Sequence, residues 1–151
     1  MPDAYPPDPV HPGALVEEGL ELLTEHECLA LAARRPIGRV AVTVGALPAV
    51  FPVNFCMVGR DVVFRTAAGT KLEAALKESV VAFQVDDFDT EGHRGWSVMM
   101  VGKATELRPI ELGRLEPLPV RAWAHGTRGH VVRIRTEFVS GRRIVTGAAP
   151  G

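Results

Sequence analysis

The sequence predicts an antiparallel, mainly β domain of six or seven strands, a small barrel or sandwich, with two or three short helices. Two observations carry that expectation. From residue 37 onward apolar residues recur at every second position, the period of a half-buried strand, and glycine-containing tight turns separate the runs, which favours antiparallel neighbours. Length and composition agree. The chain has 151 residues, 46% hydrophobic and 23% charged, enough for one domain with a sizeable core and too few for two.

The first twelve residues hold five prolines, which supply no backbone donors, so residues 1–22 read as a flexible arm. Order is expected over residues 23–145, with a second flexible tail at 146–151. Thr24 followed by Glu27 is a capping box, and Leu23 with Cys28 fits a hydrophobic staple. That helix should end near Arg34, ahead of Pro36. Strands are expected over residues 37–44, 49–55, 61–66, 80–85, 96–104, 130–137 and 143–145. Pro52 marks a bulge or an edge within its strand.

Charge and side-chain chemistry exclude several classes. The formal net charge of −1 lacks the basic excess of a nucleic-acid binder. No apolar run approaches the ~18 residues of a membrane span, and the N-terminus lacks the basic-then-apolar order of a secretory signal. Cys28 and Cys56 form no CxxC pair. The histidines (His11, His26, His93, His125, His130) show no metal-ligand spacing, so no metal is expected. A reduced, cytoplasmic protein follows. Asp86, Asp87 and Asp89 read as a solvated strand-to-loop junction. Residues 114–143 hold seven arginines, suited to an anionic ligand, an acidic partner surface or plain solvation.

The most informative stretch is Phe64-Arg65-Thr66-Ala67-Ala68-Gly69-Thr70-Lys71-Leu72-Glu73. A strand ends, Gly69 permits a positive φ, and Thr70 with Glu73 forms a second capping box. Backbone donors, a helix start, a hydroxyl and cations then surround one small volume, which suits a phosphate monoester; a plain capped helix with solvated charges is the alternative. Ser97 lacks the GxSxG context of a hydrolase nucleophile, and Trp96 by itself reads as core.

Taken in order, Ile37-Gly38-Arg39-Val40, Pro52-Val53-Asn54-Phe55, Phe64-Arg65-Thr66, Gly69-Thr70-Lys71-Leu72, Val81-Ala82-Phe83-Gln84-Val85-Asp86 and Gly95-Trp96-Ser97-Val98 resemble the pyridoxamine 5′-phosphate oxidase-like flavoproteins, with the nitroimidazole-reductase-like branch the nearest match. The resemblance spans nearly all of residues 23–145. It implies a split β-barrel (Greek key) that forms a homodimer with FMN in two interface clefts. It also implies that Arg65, Thr66, Thr70 and Lys71 hold the phosphate and that Pro52, Val53 and Asn54 line the flavin edge. Trp96 and Ser97 would reach the flavin of the other protomer. True pyridoxamine phosphate oxidases carry a Gln-containing, arginine-rich strand where this chain has Trp96-Ser97-Val98-Met99, and they close on an Arg-Leu-x-Pro-type terminus that it lacks. The resemblance therefore implies an FMN-dependent oxidoreductase of a small organic substrate other than vitamin B6. The alternatives are a reductase using the deazaflavin F420, or a flavin- or haem-binding module without turnover.

Overall fold

The computed structural model describes residues 15–17, 19–67, 69–112 and 129–144. Among the described residues, eight strands and three helices follow in the order β1 (Leu15–Glu17), β2 (Leu20–Leu22), α1 (Glu25–Ala32), β3 (Ile37–Val44), β4 (Leu47–Val58), β5 (Asp61–Ala67), α2 (Lys71–Leu76), β6 (Val80–Asp89), β7 (Arg94–Glu106), α3 (Pro109–Leu112) and β8 (Gly129–Ile144). Among the described residues no helix is long and apolar enough to cross a membrane.

The strands form one antiparallel eight-stranded sheet, in the order β1-β2-β8-β5-β4-β3-β6-β7, and β8 also pairs with β7. This corrects the expected six- to seven-stranded split β-barrel: the architecture is an eight-stranded sheet. The difference has local causes. β1 and β2 have three residues each, too few to show an alternating pattern, and they extend the sheet beyond β8 through Leu20↔Ile144 and Leu22↔Arg142. The expected strands at 130–137 and 143–145 are one continuous element, β8, running through Ser140 and Gly141. β1 and β2 fall within the expected N-terminal arm. Residues 1–14 of that arm, and the expected tail at 146–151, lie outside the described residues.

Local chemistry explains the elements. Thr24 Oγ1 accepts the Glu27 N–H (3.1 Å), and the Glu27 carboxylate accepts the Thr24 N–H (2.8 Å). This is the expected capping box, and the second of those bonds holds the Glu27 carboxyl below the ordinary carboxylate range. α1 ends at Ala32, two residues short of expectation, because the Arg34 and Arg35 amides bond to the Leu31 and Ala32 carbonyls in a tightened final turn (both 3.1 Å). Gly45 and Ala46, both with positive φ, make the two-residue turn joining β3 to β4. Alternation along β3, β6 and β7 buries Val40, Val42, Val81, Phe83, Val85, Val98 and Met100 in one core, with Phe64 and Ile134 from β5 and β8.

Pro52 sits within an unbroken β3–β4 ladder, opposite Arg39. On its other side β4 pairs with β5 only from Phe55 to Val58. Among the described strands, the second edge of Leu47 to Val53 therefore has no ladder partner, the position in a sheet that tolerates a proline.

Candidate functional site

β4 and β5 part company at the Phe55↔Phe64 pair. Past it Arg65 is exposed and Thr66 is buried. The chain then turns through Gly69 (φ +77°) into α2. Thr70 is the N-cap, with its Oγ1 accepting the Glu73 N–H (3.2 Å) and donating to the Ala67 carbonyl (2.9 Å). The second half of the expected capping box is displaced by one residue: Glu73 Oε2 takes the Gly69 N–H in place of that of Thr70. Gly69's left-handed backbone turns that amide toward the helix.

Arg65, Thr66, Thr70 and Lys71 all lie where β5 leads into α2, with Arg65 facing outward and Thr66 inward. Thr66 is 4% exposed and its hydroxyl has no hydrogen-bond partner among the described residues. A buried hydroxyl without a partner costs free energy, so an oxygen-rich ligand at this junction would relieve a cost already present. That observation fits a phosphate. Opposing it, the Glu73 carboxylate already occupies the Gly69 donor.

Of the expected flavin-edge residues, Pro52 and Asn54 lie on the outer side of β4. Val53 turns inward and packs against the core. Because Phe55 and Phe64 pair and both face the core, the residues flanking them, Asn54 and Arg65, both face outward at the same point. From the two expected groups, Asn54 and Arg65 thus face the same side of neighbouring strands.

Trp96 and Ser97 lie elsewhere, on β7, which is separated from β4 by β3 and β6. Adjacent strand residues face opposite ways, and these two divide. Trp96 packs against the core, while Ser97 lies outside, where its Oγ receives the Gln84 amide (3.2 Å). Gln84 also donates to Asp86 (2.7 Å) and accepts from Arg39 (3.1 Å). Asp86 and Asp87 are strand residues of β6, facing Arg39 (3.5 Å) and Arg35 (3.4 Å), where a strand-to-loop junction was expected. A cleft of about 230 Å³ beside Ser97 is lined by Met99, Ser140, Gly141 and Arg142. Of the arginine-rich stretch, Arg114, Arg121 and Arg128 lie outside the described residues.

His130 is the residue that sequence reasoning passed over. It opens β8 opposite Thr66 and meets two carboxylates, Glu73 at 3.0 Å and Glu106. Nothing in local spacing joins residues 73, 106 and 130.

Comparison with known proteins agrees with this architecture. Residues 24–143 match the family model described as pyridoxamine 5′-phosphate oxidase. The chain is similar to the uncharacterized protein Rv0080 of Mycobacterium tuberculosis, at 38% identity over 82% of this chain and 84% of that one. Among solved structures it is similar to an FAD binding protein from Mycobacterium smegmatis (35% identity, TM-score 0.74, 83% of this chain and 99% of that one). It is also similar to the conserved protein of unknown function DIP1874 from Corynebacterium diphtheriae (32% identity, TM-score 0.70, 84% and 99%).

Proposed function

We propose, for a chain that belongs to the pyridoxamine 5′-phosphate oxidase family, that it is an FMN-binding oxidoreductase acting on a small organic substrate other than a vitamin B6 phosphate. The observation that carries the reading is the unpartnered, buried Thr66 hydroxyl near the end of β5, ahead of the turn into α2 whose N-cap is Thr70 and whose first residue is Lys71. Arg65, Thr66, Thr70 and Lys71 would hold the phosphate, and Pro52, Val53 and Asn54 would line the ring edge. The flavin supplies two-electron chemistry, so the protein needs no general base of its own: its contribution is binding, orientation and exclusion of water.

The protein works as a homodimer in this reading. A row of outward residues crosses five strands: Val50, Ala41, Ala82, Val101 and Phe138 pair successively. Val50 is 62% exposed and Phe138 51%. A second copy covering that apolar row would bring its own β7, with Ser97 and the cleft at Arg142, toward the first copy's flavin.

The test is to purify the protein, release its ligand by denaturation and identify it by mass. FMN is expected; FAD, which the Mycobacterium smegmatis relative binds by its description, or F420 would move the cofactor assignment. Bleaching of the flavin absorbance by NADPH, and its return on adding an acceptor, would separate an enzyme from a binding module. A protein that neither carries nor takes up any flavin would end the proposal.

A further inference from the structure

We propose that His130 is a positioning residue for the phosphate site: it clamps Glu73 against Glu106 and thereby sets the charge that the turn from Gly69 to Lys71 presents to an anion. The ligand half of this inference rests on the phosphate reading above.

His130 is held between two elements. Its Nε2 lies 3.0 Å from Glu73 Oε1 on α2, and its Nδ1 meets Glu106 Oε1 on β7. A neutral imidazole carries one N–H and can donate to only one carboxylate; both contacts are donor contacts in the imidazolium alone. Glu73 is in turn tied at both oxygens, Oε1 to His130 and Oε2 to the Gly69 N–H. One carboxylate therefore links β8 to the turn that should receive a phosphate, and His130 stands opposite the orphaned Thr66 hydroxyl.

With the imidazolium in place, the His130–Glu73–Glu106 cluster carries one net negative charge. Without its second proton the cluster carries two, beside a site that must attract an anion. The other charged groups on the elements that meet it are Arg65 on β5, Lys71 on α2 with Lys77 just after it, and Lys103 on β7, which Glu78 holds at 2.7 Å. On β8 the next cation, Arg133, is paired with Asp61 (2.8 Å). β3, which packs on α2, carries Arg39, turned to Gln84 and Asp86. Lysine and arginine keep their charge between pH 5 and 8, whereas histidine is the side chain that changes it. Rising pH should thus weaken the hold on a phosphate, through Glu73.

The experiment is calorimetric titration of the full chain with FMN and with riboflavin between pH 5.5 and 8.5, for wild type, His130→Gln and Glu73→Gln. Gly69 amide exchange is measured alongside on the ligand-free proteins. The phosphate of FMN gains its own second charge near pH 6, equally in all three, so the quantity read is the ratio of wild type to variant. Relative to His130→Gln, wild-type FMN affinity should fall about three- to fivefold across the range, the size of a partly exposed charge pair. His130→Gln should lack that fall, and riboflavin should show none. A fall in His130→Gln equal to that of wild type overturns the role assigned to His130. If FMN binds no better than riboflavin at any pH, the phosphate reading fails on its own. The clamp is then judged by the Gly69 amide, which should exchange faster in His130→Gln, and unchanged exchange overturns it.

Discussion

Gly38 on β3 lies directly beneath the ring of Phe83 on β6, so close that a Cβ at Gly38 would overlap the ring's Cζ. Phe83 is fully buried and meets Phe55 edge-on, with centroids 4.7 Å apart. The glycine is therefore a packing requirement. Gly38→Ala should destabilise the fold by about 1–3 kcal/mol, the usual cost of overpacking, and lower the melting temperature by roughly 2–4 °C for each kcal/mol. An unchanged melting curve would show that the ring moves aside freely.

Thr66→Val offers a test of whether the orphaned hydroxyl is kept for a ligand. The swap removes a buried polar group that lacks a partner and keeps the shape. The ligand-free protein should become more stable by about 1 kcal/mol, while FMN binds more weakly. Differential scanning fluorimetry with and without FMN reads both effects. A variant that loses stability without ligand would mean the hydroxyl serves the fold.

The cysteines should be inert. Burial pushes the Cys28 thiol up to about 11, with Glu27 and Glu25 adding to the effect, and burial also raises Cys56. Thiolate is the reactive form, so labelling of the native protein by a disulfide reagent at pH 8 should be slow at both positions and become fast on unfolding. The linkage has a definite sign. The folded state holds the Cys28 proton more tightly than the unfolded chain, so this contribution is complete below the ordinary thiol range and is lost as pH rises through about 11. Rapid labelling of Cys28 at pH 8 would contradict its burial.

Assembly is tested on the outer row. Val50→Asp places a charge at an exposed position of the proposed interface and should weaken dimerisation while leaving the protomer folded. Light scattering across a dilution series, with circular dichroism of the same samples, reads the two separately. Trp96→Asp should behave differently: Trp96 packs against the core, so the buried charge should unfold the protomer itself. Dimers of undiminished affinity in Val50→Asp would remove that face from the interface.

What the sequence disclosed was local. The Thr24–Glu27 cap, the strand periodicity and the turn at Gly69 are all written within a few residues, and all appear. Trp96 and Ser97 were joined as one contact by resemblance, although the strand period alone separates them onto opposite faces. β1 and β2 are too short for a pattern, and their register depends on β8, over a hundred residues away in sequence. The displaced Glu73 cap and the His130 clamp are likewise tertiary facts. Glu73, Glu106 and His130 come from α2, β7 and β8, and only the folded sheet brings them together.

The central claim is that a flavin nucleotide is gripped by its phosphate at the β5–α2 junction. Titration of wild type and Lys71→Ala with FMN, followed by flavin fluorescence, tests it most directly. Loss of one charge-assisted contact of roughly 1.5–3 kcal/mol should weaken FMN about 10- to 100-fold, with riboflavin affinity and the melting temperature of the ligand-free protein unchanged. Equal FMN affinity in the two proteins would contradict the account.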